Sequence, residues 1–459
     1  STVSYVQDDK QPDNGHEFGG SMGGPIIKDR LFFFGSVAPR LIRRTNSYRF
    51  SNGTTPGTIG QKQTLMQAFA KISYAGRRFN AYATVLYTPT DSTGTLPAYN
   101  GAAPQHISSS RAGNAANQSR GFRIDDTSTT GQVNLPLSNA SFLAVRGGYF
   151  RDAYQDTGIS NTTSVVYQTS SVGMAGVPAN VQGPIGTQNT PRAMIVSHDT
   201  TARGFVNVDY NHTFSAKGSH VLKGGGGFQH TVNDVSAAYP GGYVFVYWDR
   251  AFSFSGTTGR GTYGYYEVND RGIQGTAGSS AVSLYLQDQW TIGGRLTLSL
   301  GVRTETEKIP TYRPDSTKYA LQFGFRDRIA PRLGATFDVT GDGRVKVFGS
   351  WGRYVDWTKY ELARDSFGAD FWTIRYRALE TLDVNSLSLA NMPGADLWVV
   401  PGSFRDQRVP SFDRVDPLTK PTYQDSTSIG LEYQFGAAGV FTAHYVHNDL
   451  RRVIDDVGA

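Results

Sequence analysis

The feature that most constrains how this chain folds is a two-residue alternation of side-chain character that recurs along its length. It is clearest over residues 296–303, where Leu and Val alternate with Thr, Ser, Gly and Arg. Similar runs occupy residues 206–211, 282–287 and 428–435. Because successive side chains of a β-strand point to opposite faces, each run predicts a strand with one apolar face and one small or polar face.

The length of these runs indicates what surrounds the strands. With their flanks they last about 9 to 13 residues, whereas a tilted strand needs about 9 to 11 residues to cross a bilayer and globular strands average about 5 or 6. A membrane helix needs about 18 or more apolar residues in succession. The apolar clusters here, such as residues 31–34, are far shorter. The pattern therefore favours strands that cross a membrane.

Short and long connections alternate between the predicted strands. Tight turns rich in Gly, Asn and Asp are predicted at residues 28–29, 75–76, 137–139, 216–218, 293–294, 341–343 and 436–438. Large external loops are predicted at roughly 45–62, 88–126, 154–201, 235–278, 309–328 and 356–425. Outer-membrane barrels combine short periplasmic turns with long extracellular loops. We therefore predict an all-β fold, a transmembrane antiparallel up-and-down β-barrel.

Seven hairpins give about fourteen strands. A further pair, at 243–254 and 263–268, is either two more strands, which raises the number to about sixteen, or a β-extension of an external loop. A barrel of this width is too wide for side chains to fill. A short helix within a loop is expected at 379–393.

Composition removes several other classes of protein. The chain has no cysteine, which excludes a disulfide scaffold and most structural zinc sites. Its 6 Trp, 25 Tyr and 26 Phe exclude a disordered chain, and 53 Gly among 459 residues disfavour a helix-rich enzyme. The net charge of +6 is scattered along the sequence, so no nucleic acid partner is expected.

Three local motifs resemble catalytic or ligand-binding motifs, but each is better explained by a structural role. Residues 19–23 match the G-x-S-x-G pattern of a nucleophile elbow, but Pro25 and a β pattern follow where a helix is required. The glycines at 224–227 lack the helix and Lys of a phosphate loop and indicate a bend or a close contact in a strand. His444 and His447 point to opposite faces of a strand. We therefore expect no enzyme, no catalytic residue, no metal site and no cofactor. Calcium at the acidic pairs 8–9, 125–126 and 455–456 is the alternative left open.

Aromatic and polar residues supply the candidate sites. Near strand ends, aromatic rings are expected to form interfacial girdles: Tyr74, Tyr87, Tyr149, Tyr210, Trp290 and Tyr433. In the long connections, aromatic and basic residues are candidates for contacting a ligand, the alternative being small loop cores: Tyr243, Tyr247, Trp248, Tyr263, Tyr265, Tyr266, Trp357, Trp372, Arg375 and Trp398. Polar residues on strands are expected to face the lumen: Asn207, Asp209, Arg303, Glu305, Arg353 and Glu432.

Several stretches resemble TonB-dependent outer-membrane receptors of the Oar-like type. Residues 17–35, EFGGSMGGPIIKDRLFFFG, are similar to the first barrel hairpin of that group. Residues 283–290 (SLYLQDQW) with 295–303 (RLTLSLGVR), 331–338 (PRLGATFD) with 347–354 (VFGSWGRY), and 425–433 (DSTSIGLEY) are similar to strands of the whole superfamily. The resemblance spans nearly the whole chain in the right order.

The resemblance implies a 22-stranded barrel that encloses an N-terminal plug. Nothing before Glu17 resembles a plug or a TonB box, and the chain lacks the aromatic C-terminal residue of the family. We therefore expect a lead-in segment at 1–15 and a barrel portion at 16–459, with no plug domain. Unpaired backbone groups in lipid cost several kcal/mol each. We expect further strands or another chain to close the wall.

The resemblance also implies a function. It implies energised movement of a large or scarce ligand (a carbohydrate, peptide or protein) across the outer membrane of a Gram-negative-type bacterium. The implied partners are outer-membrane lipid, a TonB-type energy-transducing protein acting through the plug, and further envelope protein chains. The alternative is a non-transporting structural or scaffold barrel in an envelope complex, and an outer-membrane barrel enzyme has less support.

Overall fold

The chain folds around one large β-sheet. The computed structural model describes residues 13–50, 57–94, 106–107, 120–190, 192–312, 318–392, 398–406, 416 and 418–454. Within these ranges lie a sheet of 23 strands and two separate two-stranded hairpins. Of the helices in the described ranges, none has the length and apolar character needed to cross a membrane.

Fourteen strands lie side by side in chain order and form a continuous antiparallel wall. They are β2 (Gly20–Ile27), β3 (Leu31–Phe50), β4 (Gly57–Ala75), β5 (Asn80–Tyr87), β9 (Thr127–Ser138), β10 (Ser141–Thr157), β13 (Ile195–Ser215), β14 (Ser219–Ala238), β18 (Gly264–Ile292), β19 (Leu296–Glu305), β22 (Ala330–Asp338), β23 (Val345–Val355), β26 (Tyr423–Gln434) and β27 (Val440–Arg452). Short strands prolong three of the rows: β1 (Asp13–Glu17), β6 (Thr90–Thr93) and β8 (Gly121–Ile124). This number of wall strands agrees with the predicted fourteen.

The remaining elements lie in the connections. They are β7 (His106–Ile107), β11 (Ser164–Tyr167), β12 (Gly186–Thr187), β15 (Tyr243–Trp248), β16 (Phe252–Phe254), β17 (Thr257–Gly259), β20 (Glu307–Pro310), β21 (Tyr319–Phe323), β24 (Asp370–Leu379), β25 (Phe404–Asp406), helix α1 (Tyr360–Ser366) and a 3-10 turn (Val384–Ser386). Two pairings among the described strands are parallel, β11 with β15 and β3 with β7. The 3-10 turn falls where a short helix was expected, whereas α1 was not predicted.

All seven predicted turns join neighbouring wall strands. Left-handed backbone occurs in five of them, at Asp29 (φ 61°), Lys217 (φ 51°), Gly293 (φ 58°), Gly341 (φ 80°) and Gly436 (φ 54°). Positive φ lets a short hairpin follow the twist of its strands, and glycine adopts it without steric cost. The six longer connections join the strands at the opposite end of the wall. The predicted up-and-down order with alternating short and long connections is therefore confirmed.

The predicted strand lengths are too short for several wall strands. β13 has 21 residues, β14 has 20 and β18 has 29. These strands continue into the long connections because their main chains go on pairing, with β14 and β18 in register as far as Ala238 and Gly272. Much of 235–278 is therefore a β-extension. The pair left open there belongs to this extension, because β15 pairs with the upper part of β18 and does not enter the wall.

The two faces of the wall differ in chemistry. On β13, Val206, Val208 and Tyr210 are exposed on the outer face, and on β26 Ile429 is 58% exposed. Strand alternation places Asn207 and Asp209 on the opposite, inner face. A broad exposed apolar surface interleaved with polar inward positions is the pattern of a lipid-facing barrel wall.

Above the wall, the long connections pack into three hydrophobic clusters. One surrounds Trp248 and Tyr266 and joins β11, β15 and β18 to the chain after β24. A second lies beneath α1 and includes Ala363 and Phe367. A third surrounds Phe252 in the β16–β17 hairpin. The loops are thus folded bodies with cores of their own.

Candidate functional site

The inner face of the wall carries two adjoining cavities, of about 570 and 370 Å3. Both are lined by Tyr285 and Arg303, and together they form what we term the inner groove. Charged and amide side chains of β10, β13, β19 and β22 line it: Arg146, Arg203, Asn207, Asp209, Arg303, Glu305 and Arg332. Four of the predicted lumen residues, Asn207, Asp209, Arg303 and Glu305, are therefore brought together.

Glycines of β14 make room for these side chains. A Cβ atom on Gly225 would lie 2.8 Å from Asp209 Oδ1 and 2.8 Å from the Tyr285 ring. A Cβ on Gly227 would collide with Asn207 Oδ1. The Tyr285 hydroxyl donates to Asp209 Oδ1 at 2.6 Å, across the strand that the glycine keeps bare. The close contact predicted for residues 224–227 is confirmed, and it allows side chains from β13 and β18 to meet over β14.

A buried ion network closes the upper end of the inner groove. Arg328 has no exposed side-chain surface and pairs with Glu305 at 2.8 Å and with Glu307. It also donates to the carbonyl oxygen of Asp356 at 3.0 Å. The backbone N–H of Thr358 donates to Glu307 Oε1 at 2.7 Å. We call Arg328, Glu305 and Glu307, with the backbone groups they bind, the mouth network.

Residues 356–369 form a strap that crosses the inner face above the groove. Trp357, 39% exposed, lies over the Arg328 guanidinium at 4.7 Å and lines the smaller cavity. Further along, Tyr360 hydrogen-bonds Ser279 at 3.0 Å, and Arg364 pairs with Asp199 at 3.0 Å. Asp199 and Ser279 lie on inward positions of β13 and β18. The strap is therefore fixed to the wall by charges at one end and by helix α1 at the other.

Two further predicted lumen residues lie elsewhere. Glu432 pairs with Lys346 at 3.4 Å on the inner face of β23 and β26, beyond the groove. Arg353 pairs with Asp425 at 2.9 Å and stacks on Tyr423 at 4.1 Å. The unbroken register of β23 and β26 puts Arg353 on the same face as Val347, which is the outer face. The expectation that Arg353 faces the lumen is therefore wrong, because strand parity decides the face and polarity does not.

Three of the loop aromatics are buried and do not form a contact surface. Tyr243, Trp248 and Tyr266 are buried, and Trp248 is only 1% exposed. Trp248 packs edge-on against Tyr167 at 5.4 Å. These three residues cannot present rings to a ligand, and the small-core alternative is correct for them.

The other candidate loop residues keep part of their surface. Tyr247 and Tyr265 stack at 4.4 Å, and Tyr263 packs beside Trp248. Trp372 donates to Asn269 Oδ1 at 2.9 Å and lies under Arg271. Arg375 lies over Phe404, and Arg377 lies over Trp398 at 3.6 Å. Their contact with a ligand stays a prediction.

The predicted girdle residues lie at two levels of the wall. Tyr74, Tyr210, Trp290 and Tyr433 are close to the short turns, whereas Tyr87 and Tyr149 lie toward the long connections. Tyr149 is eight positions along β10 from Ser141, which corresponds to about 26 Å of strand. An apolar band about 25 Å tall with aromatic residues at both edges has this spacing.

Two carboxyl groups above the wall have perturbed protonation. Burial raises the pKa of Glu307, and the positive charge of Arg328 opposes that rise. Between β8 and β9, burial and then the neighbouring Asp152 raise the pKa of Asp126 to about 6. No group of three or more His, Asp or Glu side chains in the described ranges could hold a metal ion. The acidic pairs 8–9 and 455–456 lie outside those ranges.

Several residues of the mouth network and of the strap were not predicted from the sequence. Glu307, Arg328 and the two residues of α1, Tyr360 and Arg364, come from three separate stretches, and no local pattern links these stretches. The nearest signal is the spacing of Glu305 and Glu307, which lie two residues apart at the end of β19 and the start of β20.

Comparisons with known proteins bear on the wall and its groove. A family model described as an outer membrane beta barrel domain matches residues 83–457. The chain is 25% identical to the TonB-dependent transporter Oar of Myxococcus xanthus over 541 aligned residues, covering 99% of this chain and 50% of that protein. The chain thus spans about half the length of the curated relative it matches. The resemblance first noted in residues 17–35 is confirmed by this similarity.

Solved structures give the same architecture. The outer membrane transporter YddB of Escherichia coli superposes with a TM-score of 0.60 at 13% identity, covering 95% of this chain and 46% of that one. A mutant of the ferric enterobactin receptor PfeA of Pseudomonas aeruginosa gives a TM-score of 0.52 at 11% identity, covering 95% and 50%. At these identities the likeness concerns the fold alone. The predicted all-β barrel fold class is confirmed.

Proposed function

The chain belongs to the outer membrane beta barrel domain family and lies in the outer membrane. We propose that it forms part of the barrel wall of a TonB-dependent transporter of the Oar-like type. Its role is to carry a ligand across that membrane. The observation that carries this proposal is the inner groove, a polar path behind an apolar outer face. A wall that only anchored other proteins would have no need of a polar groove beneath an ordered strap.

The partner that supplies energy is a TonB-type protein of the inner membrane. This part of the proposal rests on the similarity to Oar, which is a TonB-dependent transporter. Lipid covers the outer face, where Val206, Leu300 and Ile429 are exposed. Further envelope chains remain candidate partners at the folded loops.

Ligand capture is assigned to the loop residues that keep accessible surface. Trp357 stands at the upper end of the groove, where an aromatic ring can stack on an incoming ligand. Tyr247, Tyr263, Tyr265, Trp372, Arg375 and Trp398 are secondary candidates in the folded loops. The ligand would therefore meet the loops first, the strap second and the groove last.

The test uses the absence of cysteine in this sequence. Ser299→Cys places a single thiol in the larger cavity, and Ser253→Cys places one on the exposed β16–β17 hairpin. Each variant is expressed in the complete protein in living cells and treated with a membrane-impermeant maleimide. For a TonB-dependent transporter, we expect labelling of Ser299→Cys to rise several-fold in energised cells and to fall when the proton gradient is collapsed.

The control variant separates transport from a scaffold role. Labelling of Ser253→Cys should be the same in energised and de-energised cells, because the hairpin is open to solvent in both. If labelling of Ser299→Cys is equally insensitive to energy and to loss of the TonB-type protein, the transporter proposal fails. The scaffold barrel would then be the better account.

A further inference from the structure

The acidic residues of the chain are distributed unevenly, although its basic residues are scattered. Residues 30–124 contain twelve Lys and Arg and a single acidic residue, Asp91. Of the 44 basic and 38 acidic residues in the whole chain, the remainder carries 32 and 37. The excess of positive charge therefore belongs to one sector of the wall, which runs from β3 to β8.

Strand register shows which cations of this sector lie on the outer face. Val206 aligns through β10, β9 and β5 with Ile72 of β4, which is 52% exposed. Lys62 is ten positions from Ile72 along the same strand, and the pairing of β3 with β4 is unbroken between them. Lys62 therefore lies on the outer face, and the residue directly opposite it on β3 is Arg43.

The inner and outer cations of β3 are partnered differently. On the inner face, Arg44 pairs with Asp13 at 3.0 Å and Arg40 lies 4.0 Å from Glu17. Arg43 has the opposite parity, is exposed, and forms no ion pair in the described part of the chain. The acidic residues of β1 therefore compensate the inner face and leave the outer face positive.

Arg43 and Lys62 place two like charges directly opposite each other. The Cβ atoms of such partners are about 4.5–5.5 Å apart, and like charges in this arrangement destabilise a sheet. Both strands are flanked on each side, since Arg43 aligns with Asn14 of β1 and Lys62 with Thr93 of β6. The pair thus lies inside the wall and not at its edge. An anion from outside the protein would relieve the repulsion.

Two further outer cations continue this surface toward the membrane. Arg151 of β10 lies in one row with Tyr87 of β5, because both align with Thr127. Arg123 of β8 aligns with Gln155, four positions further along β10 from Arg151. The acidic groups beside these cations are Asp125, which binds Arg123 at 2.9 Å, and Asp91, which lies opposite Arg123. We call the four outer cations the outer cationic rim: Arg43, Lys62, Arg123 and Arg151.

The height of the outer cationic rim indicates what surrounds it. Tyr87 is a predicted girdle residue, and girdle rings lie at the level of the lipid head groups. Lys62 is six positions beyond Ala68, the partner of Tyr87, which corresponds to about 20 Å of strand. At a strand tilt of about 45° this is about 14 Å above the girdle. A phospholipid carries its phosphate at one height, whereas a glycolipid with phosphorylated sugars presents phosphates over such a range.

We propose that the outer cationic rim binds the phosphate groups of a phosphorylated glycolipid in the outer leaflet of the membrane. Arginine matches phosphate oxygens with paired N–H donors. Each Lys or Arg near an anionic membrane surface strengthens binding by about fivefold. An acidic polypeptide would match the charge, but the rim begins at the girdle on the side of the wall that lipid covers. The proposal concerns the outer face alone and goes beyond the proposed transport function.

The experiment measures lipid binding to the complete protein, purified in a neutral detergent, by native mass spectrometry. The probe is a rough lipopolysaccharide with a phosphorylated core, and its matched control is the same lipid after removal of its phosphates. We expect the phosphorylated form to bind at least tenfold more tightly, with affinity that falls as the concentration of ammonium acetate rises. Arg43→Gln with Lys62→Gln should weaken its binding more than tenfold.

The control variant removes the same charge at the other end of β4. Arg77→Gln with Arg78→Gln changes the exposed turn between β4 and β5 and should leave the affinity within twofold. A second measurement is the unfolding temperature without added lipid. It should be unchanged or higher in the variant of Arg43 and Lys62, because two repelling charges are removed. A structural role for the two cations would lower it.

Several results would overturn the proposal. Equal binding of the two forms of the lipid, equal loss of binding in the two double variants, or a lower unfolding temperature of the rim variant would each do so. Tighter binding of phosphatidylglycerol would show that phosphate at a single height suffices. Binding of polyglutamate in preference to the phosphorylated lipid would assign the rim to an acidic protein. Energy-dependent labelling of Ser299→Cys does not involve the rim, so the two proposals fail separately.

Discussion

Arg328 is the residue whose replacement tests the mouth network most directly. Its side chain is fully buried between Glu305 and Glu307, which are themselves almost fully buried. Arg328→Met preserves most of the side-chain volume and removes the charge. The two carboxylates would then lie together in the protein without a counter-charge, and the Asp356 carbonyl would lose its donor.

The size of the effect follows from the burial. Removing one partner of a buried ion pair costs about 3–5 kcal/mol, because the remaining charge stays desolvated. The wall is held by continuous main-chain pairing, so the strain is relieved most easily by local opening of the strap near residues 356–358. One decade in an equilibrium constant corresponds to about 1.4 kcal/mol. Local opening should therefore become at least about a hundredfold more frequent.

Hydrogen exchange of the complete protein measures this opening. The amide of Thr358, which donates to Glu307, should lose protection about a hundredfold. The amide of Phe367, which donates to Ala363 within the apolar end of the strap, should change much less. Adding Glu305→Gln and Glu307→Gln to Arg328→Met should restore much of the protection, because the uncompensated charges are gone.

A matched variant gives the condition for rejecting this reasoning. Arg344 forms an exposed pair with Asp342 at the turn between β22 and β23. Arg344→Met should leave the exchange of Thr358 unchanged. If Arg328→Met also leaves the exchange of Thr358 unchanged, the mouth network does not hold the strap, and the burial of Arg328 has no energetic consequence.

Three further predictions concern other parts of the structure. Because the pKa of Asp126 is raised, its contribution to local stability is present at low pH and is lost as pH rises through about 6. The Asp125 amide, which donates to the Ala153 carbonyl, should therefore be more protected from hydrogen exchange at pH 5 than at pH 7, after correction for intrinsic exchange. Asp126→Asn should abolish this difference. Gly225→Val should break the Tyr285–Asp209 bond and lower the free energy of unfolding in urea by about 1–3 kcal/mol, whereas Gly301→Ala, whose nearest neighbours are 3.6 Å away, should have little effect. Trp248→Ala should destabilise the loop core by about 3–5 kcal/mol and expose residues 163–190 to limited proteolysis. Trp357→Ala should leave the proteolysis of these residues unchanged. Equal proteolysis of both variants would contradict the assignment of Trp248 to the core.

The wall could be predicted from the sequence because its determinants are local. Alternation over 296–303 defines a strand, and residues such as Gly293 and Gly341 define the turns between strands. The strand ends toward the loops could not be predicted in this way. Above the membrane the outer face no longer needs to be apolar, so the alternation fades at β18 although its main chain continues to pair for 29 residues. The pairing that sustains it is a property of two strands at once.

The contrast between Arg303 and Arg353 explains why the site was only partly predictable. Both are arginines at the upper end of a wall strand, and both follow an alternating run. Arg303 falls on the parity of Ser299 and Gly301 and enters the groove, whereas Arg353 falls on the parity of Val347 and lies outside. A shift of one residue moves every side chain of a strand to the other face. Residue type therefore predicts that a cation stands at the rim, and only the register determines whether a ligand in the lumen can meet it.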